Sequence, residues 1–419
     1  MKTLLAAPLL ALLCASASAE GPTPKAHYPH VFSWIVTEEP NGAWVRVPMI
    51  DTDPNTGLTI GLMQVVAVVS SGTLRQAHIP TFSHNPNFGY TGGYEVYLFP
   101  SAGRQWDISG SFSQKVNRDF SVEYRDEHFL DRDQGFDGRL HYSRDGSMRF
   151  YGFGPATSSD GESNYTLDSI NYRFGYTKPI RDGSPWKGRV YHRFQANDVT
   201  DGAVTKVPDL ITLYPGVAQQ VNERHNDGAL GAMLLYDSRD SAVTTSRGAY
   251  AEVFVDASHK LNYASEYSYH RYGAELKAFL PNGPADDPEP DFITAGRARF
   301  EHLRGAVPVW LLPSMGGRHS NRAYGEGRFT SKGLAVIGIE ERCRFLRLRN
   351  PEMNLSFWID PFVEAGLVFR EPYEIPFKYT KPAAGLALRA VGRTQFVASA
   401  DFGYGQEGLK TFLDISYAF

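Results

Sequence analysis

The chain ends in Leu413-Asp414-Ile415-Ser416-Tyr417-Ala418-Phe419. Large apolar side chains alternate along this stretch with small or acidic ones. The apolar set is Leu413, Ile415, Tyr417 and Phe419. Because successive side chains of a strand point to opposite faces, the alternation predicts a β-strand with one apolar face. An edge strand at the end of a soluble domain would show the same pattern, so the rest of the chain has to decide between the two.

The same alternation occurs throughout the chain. In the stretch 169–176, one face carries Ile170, Tyr172, Phe174 and Tyr176. The stretches 107–113, 272–280 and 395–404 alternate in the same way, and Arg297, Arg299 and Glu301 share one face of another strand. Turn-forming residues separate many of these segments, for example at 144–147 and 281–284. No change in composition indicates a second domain.

The N-terminus predicts export. Lys2 precedes an apolar run from Leu4 to Cys14, and Ala17-Ser18-Ala19 provides a cleavage signal before Glu20. This is the layout of a secretory signal peptide over residues 1–19. The apolar run is shorter than the roughly 20 residues that a membrane-spanning helix needs. Cys343 is then the only cysteine of the exported chain, so an internal disulfide is excluded.

Composition narrows the fold class. The chain has 23 Tyr, 26 Phe and 40 Gly, and no later stretch is apolar enough for a transmembrane helix. A formal net charge of −4 does not indicate a nucleic-acid partner. A secreted β-sandwich, a β-helix and an outer-membrane barrel all fit this composition. Barrel strands face lipid on one side and a polar lumen on the other, so their mean hydropathy is unremarkable.

We therefore predict an all-β protein, a transmembrane antiparallel β-barrel of about 16 strands, in the outer membrane of a Gram-negative bacterium. Residues 20–50 would be a short periplasmic segment and 51–419 the barrel, embedded in outer-membrane lipid and lipopolysaccharide. Outer loops are expected at 70–87, 197–227 and 304–331. The strands are predicted at 57–69, 88–99, 106–114, 118–126, 137–153, 165–177, 187–196, 228–236, 247–256, 266–280, 292–303, 332–345, 354–370, 383–391, 395–404 and 410–419.

The C-terminal stretch resembles the signal that the barrel-assembly machinery reads. Its residues are the four apolar ones named above, from Leu413 to the terminal Phe419. The resemblance implies that this machinery is a partner during biogenesis. The last strand would then close the barrel by pairing with a first strand that begins near Gly57.

A glycine- and arginine-rich stretch, 316–329, resembles the loop that folds into the lumen of BamA-type barrels, also called bacterial surface antigen barrels. The superfamily includes barrel insertases and two-partner-secretion transporters. Its loop pattern is Arg-Gly-Phe/Tyr. Arg322 and Tyr324 match this pattern, and Ala323 stands where glycine is usual. The resemblance implies an inward-folded loop near 313–329.

The superfamily's loop arginine contacts an acidic residue in an Asp-x-Gly pattern on a following strand. Glu364-Ala365-Gly366 resembles this pattern, with Glu in place of Asp. Alternation independently places Glu364 and Gly366 on the polar face, where the carboxylate can pair with Arg322. Glu340, Arg342 and Arg344 also share a face and could join the network. A solvated Arg322 in an outer loop is the alternative.

Three further stretches are similar to superfamily elements. They are 51–57, which opens the first strand, 150–154 with a Gly-x-Gly element, and 234–250 with the mid-barrel Tyr-Asp-x-Arg-Asp signature. About 30 residues lie between Glu20 and Asp51, which is too few for a periplasmic POTRA module. The chain is thus expected to resemble a barrel-only member.

Three functions remain open. The first is outer-membrane biogenesis or translocation with a loop-plugged lumen, and the second is a passive channel. The third, a lipid-acting enzyme, is less favoured, because no Ser and His pair lies at a catalytic spacing. We expect no cofactor, because no histidine cluster has a metal-ligand spacing. The pairs Asp51/Asp53 and Asp237/Asp240 are more typical of turns or a lumenal charge network than of a cation site. The client or substrate is not indicated.

Overall fold

The computed structural model describes residues 36–39, 42–52, 54–70, 73–260, 265–283, 287, 289–349, 354–392, 396–414 and 417–419. The predicted signal peptide and much of the segment 20–50 lie outside these ranges. So does Ile415 of the predicted C-terminal signal.

The described residues form one large antiparallel sheet of 19 strands and a small two-stranded sheet. In the large sheet each strand pairs with the next one along the chain, which is the order of an up-and-down barrel. Its strands are β1 (Val36–Glu39), β2 (Gly42–Asp51), β3 (Thr59–Ser70), β4 (Thr73–Asn85), β5 (Gly89–Ser101), β6 (Arg104–Ser113), β7 (Arg118–Asp126), β8 (Gly135–Phe150), β9 (Ser163–Pro179), β10 (Trp186–Asp201), β11 (Arg224–Asp237), β12 (Gly248–Ser258), β13 (Tyr269–Pro281), β14 (Phe292–Gly305), β17 (Gly333–Arg349), β18 (Asn354–Phe369), β19 (Lys381–Gly392), β20 (Phe396–Gly405) and β21 (Gly408–Asp414). The two-stranded sheet pairs β15 (Ser314–Met315) with β16 (Phe329–Thr330).

Alternation sorts the side chains of each strand into a lipid-facing and a lumenal set. On β9, Ile170 and Phe174 are exposed on the outside, whereas Ser169 on the other face is buried. On β14, Arg297, Arg299 and Glu301 face the lumen, where each forms an ion pair. Large apolar side chains exposed on most strands are what a surface that faces lipid requires. Within the described residues no helix is long or apolar enough to span a bilayer.

The predicted all-β antiparallel barrel is confirmed, with 18 long strands and the short β1 rather than about 16. Each of the 16 predicted segments overlaps a strand of the structure, although the last one, 410–419, continues past the end of β21 at Asp414. The prediction missed β2 and β4. Each contains a proline, Pro48 or Pro80, and proline inside a run of residues argues against a strand because it cannot donate to the ladder.

Three predicted boundaries are wrong. Residues 70–87 do not form a loop, since most of them belong to β4. Residues 144–147 do not separate two strands but form an irregularity in the β8–β9 ladder between Asp145 and Met148. The sheet also begins before Asp51, because β2 pairs along its whole length with β3.

The barrel is nearly closed by its first and last long strands. Antiparallel order places the start of β2 and the end of β21 at the same edge, the termini edge. The longest connections, 202–223 and 306–332, lie at the opposite edge, the loop edge. Near the loop edge Thr52 Oγ1 donates to the carbonyl oxygen of Thr411 at 3.2 Å. The strand at Gly57 was therefore not the right partner for the last strand, because β2 lies between them. We call the β2–β21 junction the seam.

Candidate functional site: a loop held inside the barrel

The connection 306–332, here called the inner loop, runs from β14 to β17. The two-residue strands β15 and β16 pair Met315 with Phe329 and so bring the two ends of the loop together. The stretch between them contains Arg322 and Tyr324, both 0% exposed. Their partners, described below, are side chains on the inner faces of β17, β18, β19 and β20. The tip of the inner loop therefore lies inside the barrel.

Arg322 is joined to Glu364 by three atoms. The Arg322 backbone N–H donates to Glu364 Oε2 at 2.9 Å, and Nε donates to Oε1 at 2.8 Å. Nη2 lies 2.8 Å from the same Oε1. The carboxylate thus holds both the guanidinium and the loop backbone, which fixes the orientation of the loop as well as its position.

Arg322 Nη1 bridges two further carboxylates, Glu340 Oε2 and Asp401 Oδ1, each at 2.9 Å. The guanidinium carbon lies 3.3 Å from the ring centroid of Phe362, in a cation–π contact. Burial by itself would lower the pKa of Arg322, but the charges of Glu364, Glu340 and Asp401 raise it above its ordinary value. The arginine is therefore permanently charged.

Three more arginines complete what we call the lumenal charge network. Arg389 donates to both oxygens of Glu340, at 3.0 and 2.9 Å, and also to Asp360. Arg342 Nε donates to Glu340 Oε1 at 3.0 Å, and Arg318 Nε donates to Asp401 Oδ2 at 2.7 Å. The network consists of Arg318, Arg322, Glu340, Arg342, Asp360, Glu364, Arg389 and Asp401. With four arginines and four carboxylates it balances its charge, as buried ions require.

Tyr324 and the ends of the inner loop form an apolar layer beside the network. Tyr324 meets Phe329 edge to face, with ring centroids 5.2 Å apart. Both pack in a buried cluster with Met315 and Leu334, among others. The site predicted at Gly366 has a steric role, since a Cβ there would lie 2.5 Å from Met315 Sδ.

Glycines on β20 let the loop backbone approach the wall. A Cβ at Gly403 would lie 2.2 Å from the carbonyl oxygen of Arg322, and one at Gly405 would lie 2.7 Å from Ala323 Cβ. Ala323, which stands where the superfamily pattern has glycine, is fully buried without a positive φ angle. Small residues are thus required where the backbone of the inner loop passes close to β20. Most of them are the glycines of β20, and the loop contributes only Ala323.

Two of the other stretches singled out in the sequence also contact the inner loop. Asn55, in the stretch 51–57, donates to the carbonyl oxygen of Glu326 at 2.9 Å. Gly154, in the stretch 150–154, donates its N–H to Thr330 at 2.8 Å. The third stretch forms a turn at the termini edge instead, where Arg239 pairs with Asp237 at 2.8 Å.

The end of the chain turns into the lumen. Tyr417 and Phe419 pack against a cluster that includes Phe279, Trp358 and Val391. The guanidinium of Arg342 stacks on the Tyr417 ring at 3.6 Å from its centroid. This differs from the predicted C-terminal strand. The described strand ends at Asp414, and the side chains of Tyr417 and Phe419 pack inside the barrel and not on the lipid face.

The inner loop holds this tail directly. Arg318 Nη1 donates to Asp414 Oδ2 at 2.9 Å, and His319 Nδ1 contacts the carbonyl oxygen of Ala418 at 3.1 Å. Arg342 Nη2 donates to an oxygen of Phe419 at 3.2 Å. Loop, network and tail therefore form one connected unit that reaches the seam.

Arg344 does not join the network. Near the termini edge the β17–β18 register shifts between Arg344 and Leu346, and Arg344 pairs with Asp291 outside the lumenal core. Four residues belong to the network but were not among the predicted site residues: Arg318, Asp360, Arg389 and Asp401. The alternation of β19 and β20 placed Asp401 on a polar face, but nothing in the sequence indicated which distant arginine would meet it.

Open space remains elsewhere in the lumen. Two cavities of about 280 and 340 Å³ share Arg271, Arg299 and Glu301 in their lining. Among the described residues, no group of three or more His, Cys, Asp or Glu side chains is arranged to hold a metal ion.

A family model for the Omp85 superfamily domain matches residues 102–405. The chain belongs to the Omp85 superfamily. The match covers the wall from β6 to β20, including the inner loop and the network. It establishes the protein as an integral β-barrel of the Gram-negative outer membrane. Members of this superfamily are insertases and transporters of the BamA and CdiB kind.

Two solved structures with TM-scores above 0.5 share the fold at low sequence identity. The crystal structure of BamA from Haemophilus ducreyi lacking POTRA domains 1–3 matches with a TM-score of 0.56 and 11% identity, covering 89% of this chain and 75% of that one. CdiB from Escherichia coli matches with a TM-score of 0.55 and 10% identity, covering 89% of this chain and 67% of that one. CdiB from Acinetobacter baumannii has 15% identity and a TM-score of 0.46, with coverage of 89% and 65%. No curated protein matches the chain by sequence.

Proposed function

We propose that this protein acts on polypeptides at the outer membrane, in barrel insertion or in secretion, with the inner loop as a plug and the seam as the place where the barrel opens. The observation that carries the proposal is the connected unit of loop, network and tail. It fills the lumen beside β17, β18, β19 and β20 and ends at the seam.

The plug is supported by how the inner loop is held. Arg322 is fully buried among Glu340, Glu364 and Asp401, and removing one partner of a buried ion pair leaves an uncompensated charge. A loop held in this way does not leave the lumen by thermal fluctuation alone. A client or a second protein that supplies binding energy would have to displace it.

The seam is supported by how the last strand ends. β21 has seven residues, whereas β2 has ten. If strand pairing is counted from the contact of Thr52 with Thr411, Asp414 lies opposite Met49. Beyond that level the tail is directed into the lumen. The described part of β2 therefore extends past the described part of its neighbour, and an extended client segment could pair with that edge by adding a strand.

Conductance separates this proposal from a passive channel. We expect the purified protein in a planar bilayer to be closed most of the time, and an Arg322→Ala variant to open more often or to a larger level. Arg299→Ala, which changes a lumenal arginine outside the network, is the matched control. A wild-type protein with a large, constantly open pore that Arg322→Ala leaves unchanged would favour the passive channel.

Depletion of the protein tests the biological role. We expect loss of the protein to lower the amount of specific outer-membrane or secreted proteins, while Arg322→Ala at equal abundance gives the same defect or uncontrolled leakage. An unchanged outer-membrane and secreted protein composition would contradict the proposal. Lipid hydrolysis by the purified protein would instead support the enzymatic alternative. The barrel-assembly machinery and lipopolysaccharide remain proposed partners, since the first would insert this barrel and the second would surround it.

A further inference from the structure

The lipid-facing surface near the seam carries polar side chains at mid-strand. Arg46 lies in the middle of β2 and pairs in register with Gln64 in the middle of β3. Both share the outward face with Ile50 and Ile60, which are more than half exposed. His78 lies in the middle of β4, between the inward-facing and fully buried Ala77 and Ile79.

His78 extends this polar region across two more side chains. One ring nitrogen contacts the hydroxyl of Tyr94 at 2.7 Å, and the other contacts Gln76 Oε1 at 3.2 Å. The polar groups thus run obliquely over β2, β3, β4 and β5 on the outer face. We call the five residues Arg46, Gln64, Gln76, His78 and Tyr94 the outer polar stripe.

The corresponding positions of most other described strands are apolar. Exposed mid-strand side chains on β6, β7, β8, β12, β13 and β17 are Ile108, Val122, Leu140, Val253, Leu276 and Ile337. Separate exceptions occur on other strands. His192 lies on β10, and its ring packs on that of Tyr172 with centroids 5.6 Å apart. Arg144 pairs with Asp168 on β8 and β9, and Glu341 on β17 accepts a hydrogen bond from Thr294 on β14. The stripe differs from these sites because its polar side chains extend over four neighbouring strands next to the seam.

Polar groups at this depth are costly in a lipid environment. An arginine on the lipid face at the bilayer midplane destabilises a barrel by about 2 to 4 kcal/mol. Ionisable residues within a membrane typically mark the path of an ion or a substrate. The stripe offers a cation, amides and an imidazole, which are ligands for a phosphate group. In the surrounding bilayer, phosphate groups belong to lipid headgroups.

The position of the stripe suits a moving headgroup better than a docked protein. It lies on a convex wall among apolar neighbours such as Ile60 and Phe82. Four of its five residues are on β3, β4 and β5, which are paired on both sides and leave no strand edge for a polypeptide. Counting pairs from Thr52 and Thr411 places Arg46 beyond the level of Asp414, where the tail has turned inward. The outer polar stripe thus lies, at mid-depth, next to the part of the seam that is beyond the end of β21 at Asp414.

We propose that the outer polar stripe guides phospholipid headgroups through the hydrocarbon region, so that the protein exchanges phospholipids between the two leaflets. The phosphate contacts Arg46 at mid-depth, and Gln64, His78 and Gln76 provide further hydrogen-bond partners along the path. No covalent step is involved. The activity is independent of the proposed action on polypeptides, because no residue of the stripe belongs to the lumenal charge network.

The test uses the purified full-length protein in vesicles of phosphatidylethanolamine and phosphatidylglycerol with a trace of fluorescent phosphatidylglycerol. Dithionite bleaches the outer leaflet, and exchange makes the inner leaflet accessible. A water-soluble dye with the same dithionite-sensitive fluorophore is trapped inside the vesicles. Loss of its fluorescence reports any dithionite that enters through the lumen of the barrel. We expect bleaching of the lipid well beyond half with wild-type protein while the trapped dye stays fluorescent.

The decisive variant is the triple substitution Arg46→Leu, Gln64→Leu and His78→Leu, with His192→Leu as the control from another lipid-facing wall. The triple variant loses a charged hydrogen-bond partner for the phosphate of a lipid that crosses the bilayer. We expect lipid exchange to be slower by about tenfold or more in this variant and unchanged in the control. Apolar substitutions on the lipid face should not hinder insertion, and the heat-dependent gel shift checks this. Should the triple variant not insert, Arg46→Gln serves the same comparison, with an expected slowing of about threefold or more.

Two results would overturn the proposal. One is a wild-type protein that exchanges lipid no faster than empty vesicles, which would leave the stripe as a contact for a protein partner. The other is a stripe variant that inserts and exchanges lipid at the wild-type rate. An Arg322→Ala variant that retains lipid exchange but alters conductance would show that the two activities are separate.

Discussion

Two sides of the barrel differ in where their polar side chains lie relative to the membrane. On the side formed by β17–β20, charged side chains face inward and are paired with one another and with the inner loop. On the side formed by β2–β5, the inner face has mostly small or apolar side chains such as Ala77, with Glu95 as a charged exception, and further polar ones appear on the outer face. One side is arranged to hold a segment of its own chain in place, whereas the other exposes polarity to lipid. The following predictions test this contrast, from the largest expected effect to the smallest.

Arg322→Ala should have the largest effect on stability. It leaves Glu340, Glu364 and Asp401 buried without the cation that joins them, which costs about 3 to 5 kcal/mol. Urea unfolding in detergent, followed by the heat-dependent gel shift, measures the loss. Arg299→Ala removes a partly exposed lumenal arginine and should cost about 1 kcal/mol or less. Equal losses in the two variants would contradict the special role of the network.

Gly403→Ala should displace the inner loop without changing any charge. Its Cβ would lie 2.2 Å from the carbonyl oxygen of Arg322, so either the loop or β20 has to move. We expect a loss of about 1 to 3 kcal/mol, typical of overpacking, together with faster trypsin cleavage in the loop. Gly296→Ala is the control, because a Cβ there has no neighbour within 4 Å. Unchanged cleavage in Gly403→Ala would argue against close packing of the loop on β20.

Tyr417→Ala should loosen the tail and thereby the seam. The ring is stacked between Arg342 and Arg389, with guanidinium carbons 3.6 and 4.6 Å from its centroid. Two partly desolvated cation–π contacts are worth about 1 to 4 kcal/mol together. A disulfide trap between β2 and β21 should form faster in this variant. Tyr404→Ala, on the exposed outer face of β20, should leave the trapping rate unchanged. Equal trapping rates in wild type and Tyr417→Ala would separate the tail from the seam.

Acid should lower the folding stability of the protein through His319 in the inner loop. Burial and the neighbouring charge of Arg318 lower the pKa of His319 below its usual 6.5. As the pH falls below 6.5, the unfolded chain binds a proton that the folded chain resists, so folding stability decreases over that range. Above 6.5 the residue contributes no pH dependence. Urea unfolding in detergent should show this loss of stability below pH 6.5, and His319→Gln should reduce it. The carbonyl of Ala418 and the charge of Asp414 oppose the loss, because both favour the protonated ring. A His319→Gln variant with the wild-type pH profile would contradict this assignment.

Much of the fold was predictable because it depends on local alternation. The period of two along 169–176 and along 292–303 fixes which residues face lipid and which face the lumen, wherever neighbouring strands lie. The two missed strands show the limit of this reasoning. In β2 and β4, the prolines and the polar residues that face lipid, Arg46 and His78, obscure the apolar face. The feature that hid these strands is the same one that carries the proposed lipid track.

The sequence by itself determined the all-β class, nearly all strand positions and the choice of Arg322 and Glu364 as partners, the last through a resemblance between motifs. Only the tertiary structure decided that the network is completed by Arg318, Asp360, Arg389 and Asp401. Only the structure placed the last residues of the chain in the lumen. Their alternation predicts a lipid-facing strand, but Tyr417 and Phe419 gain cationic and apolar partners inside the barrel. Local patterns specify which face of a strand a residue occupies. The partners across the lumen depend on strands and loops distant in sequence, and only the closed wall brings these together.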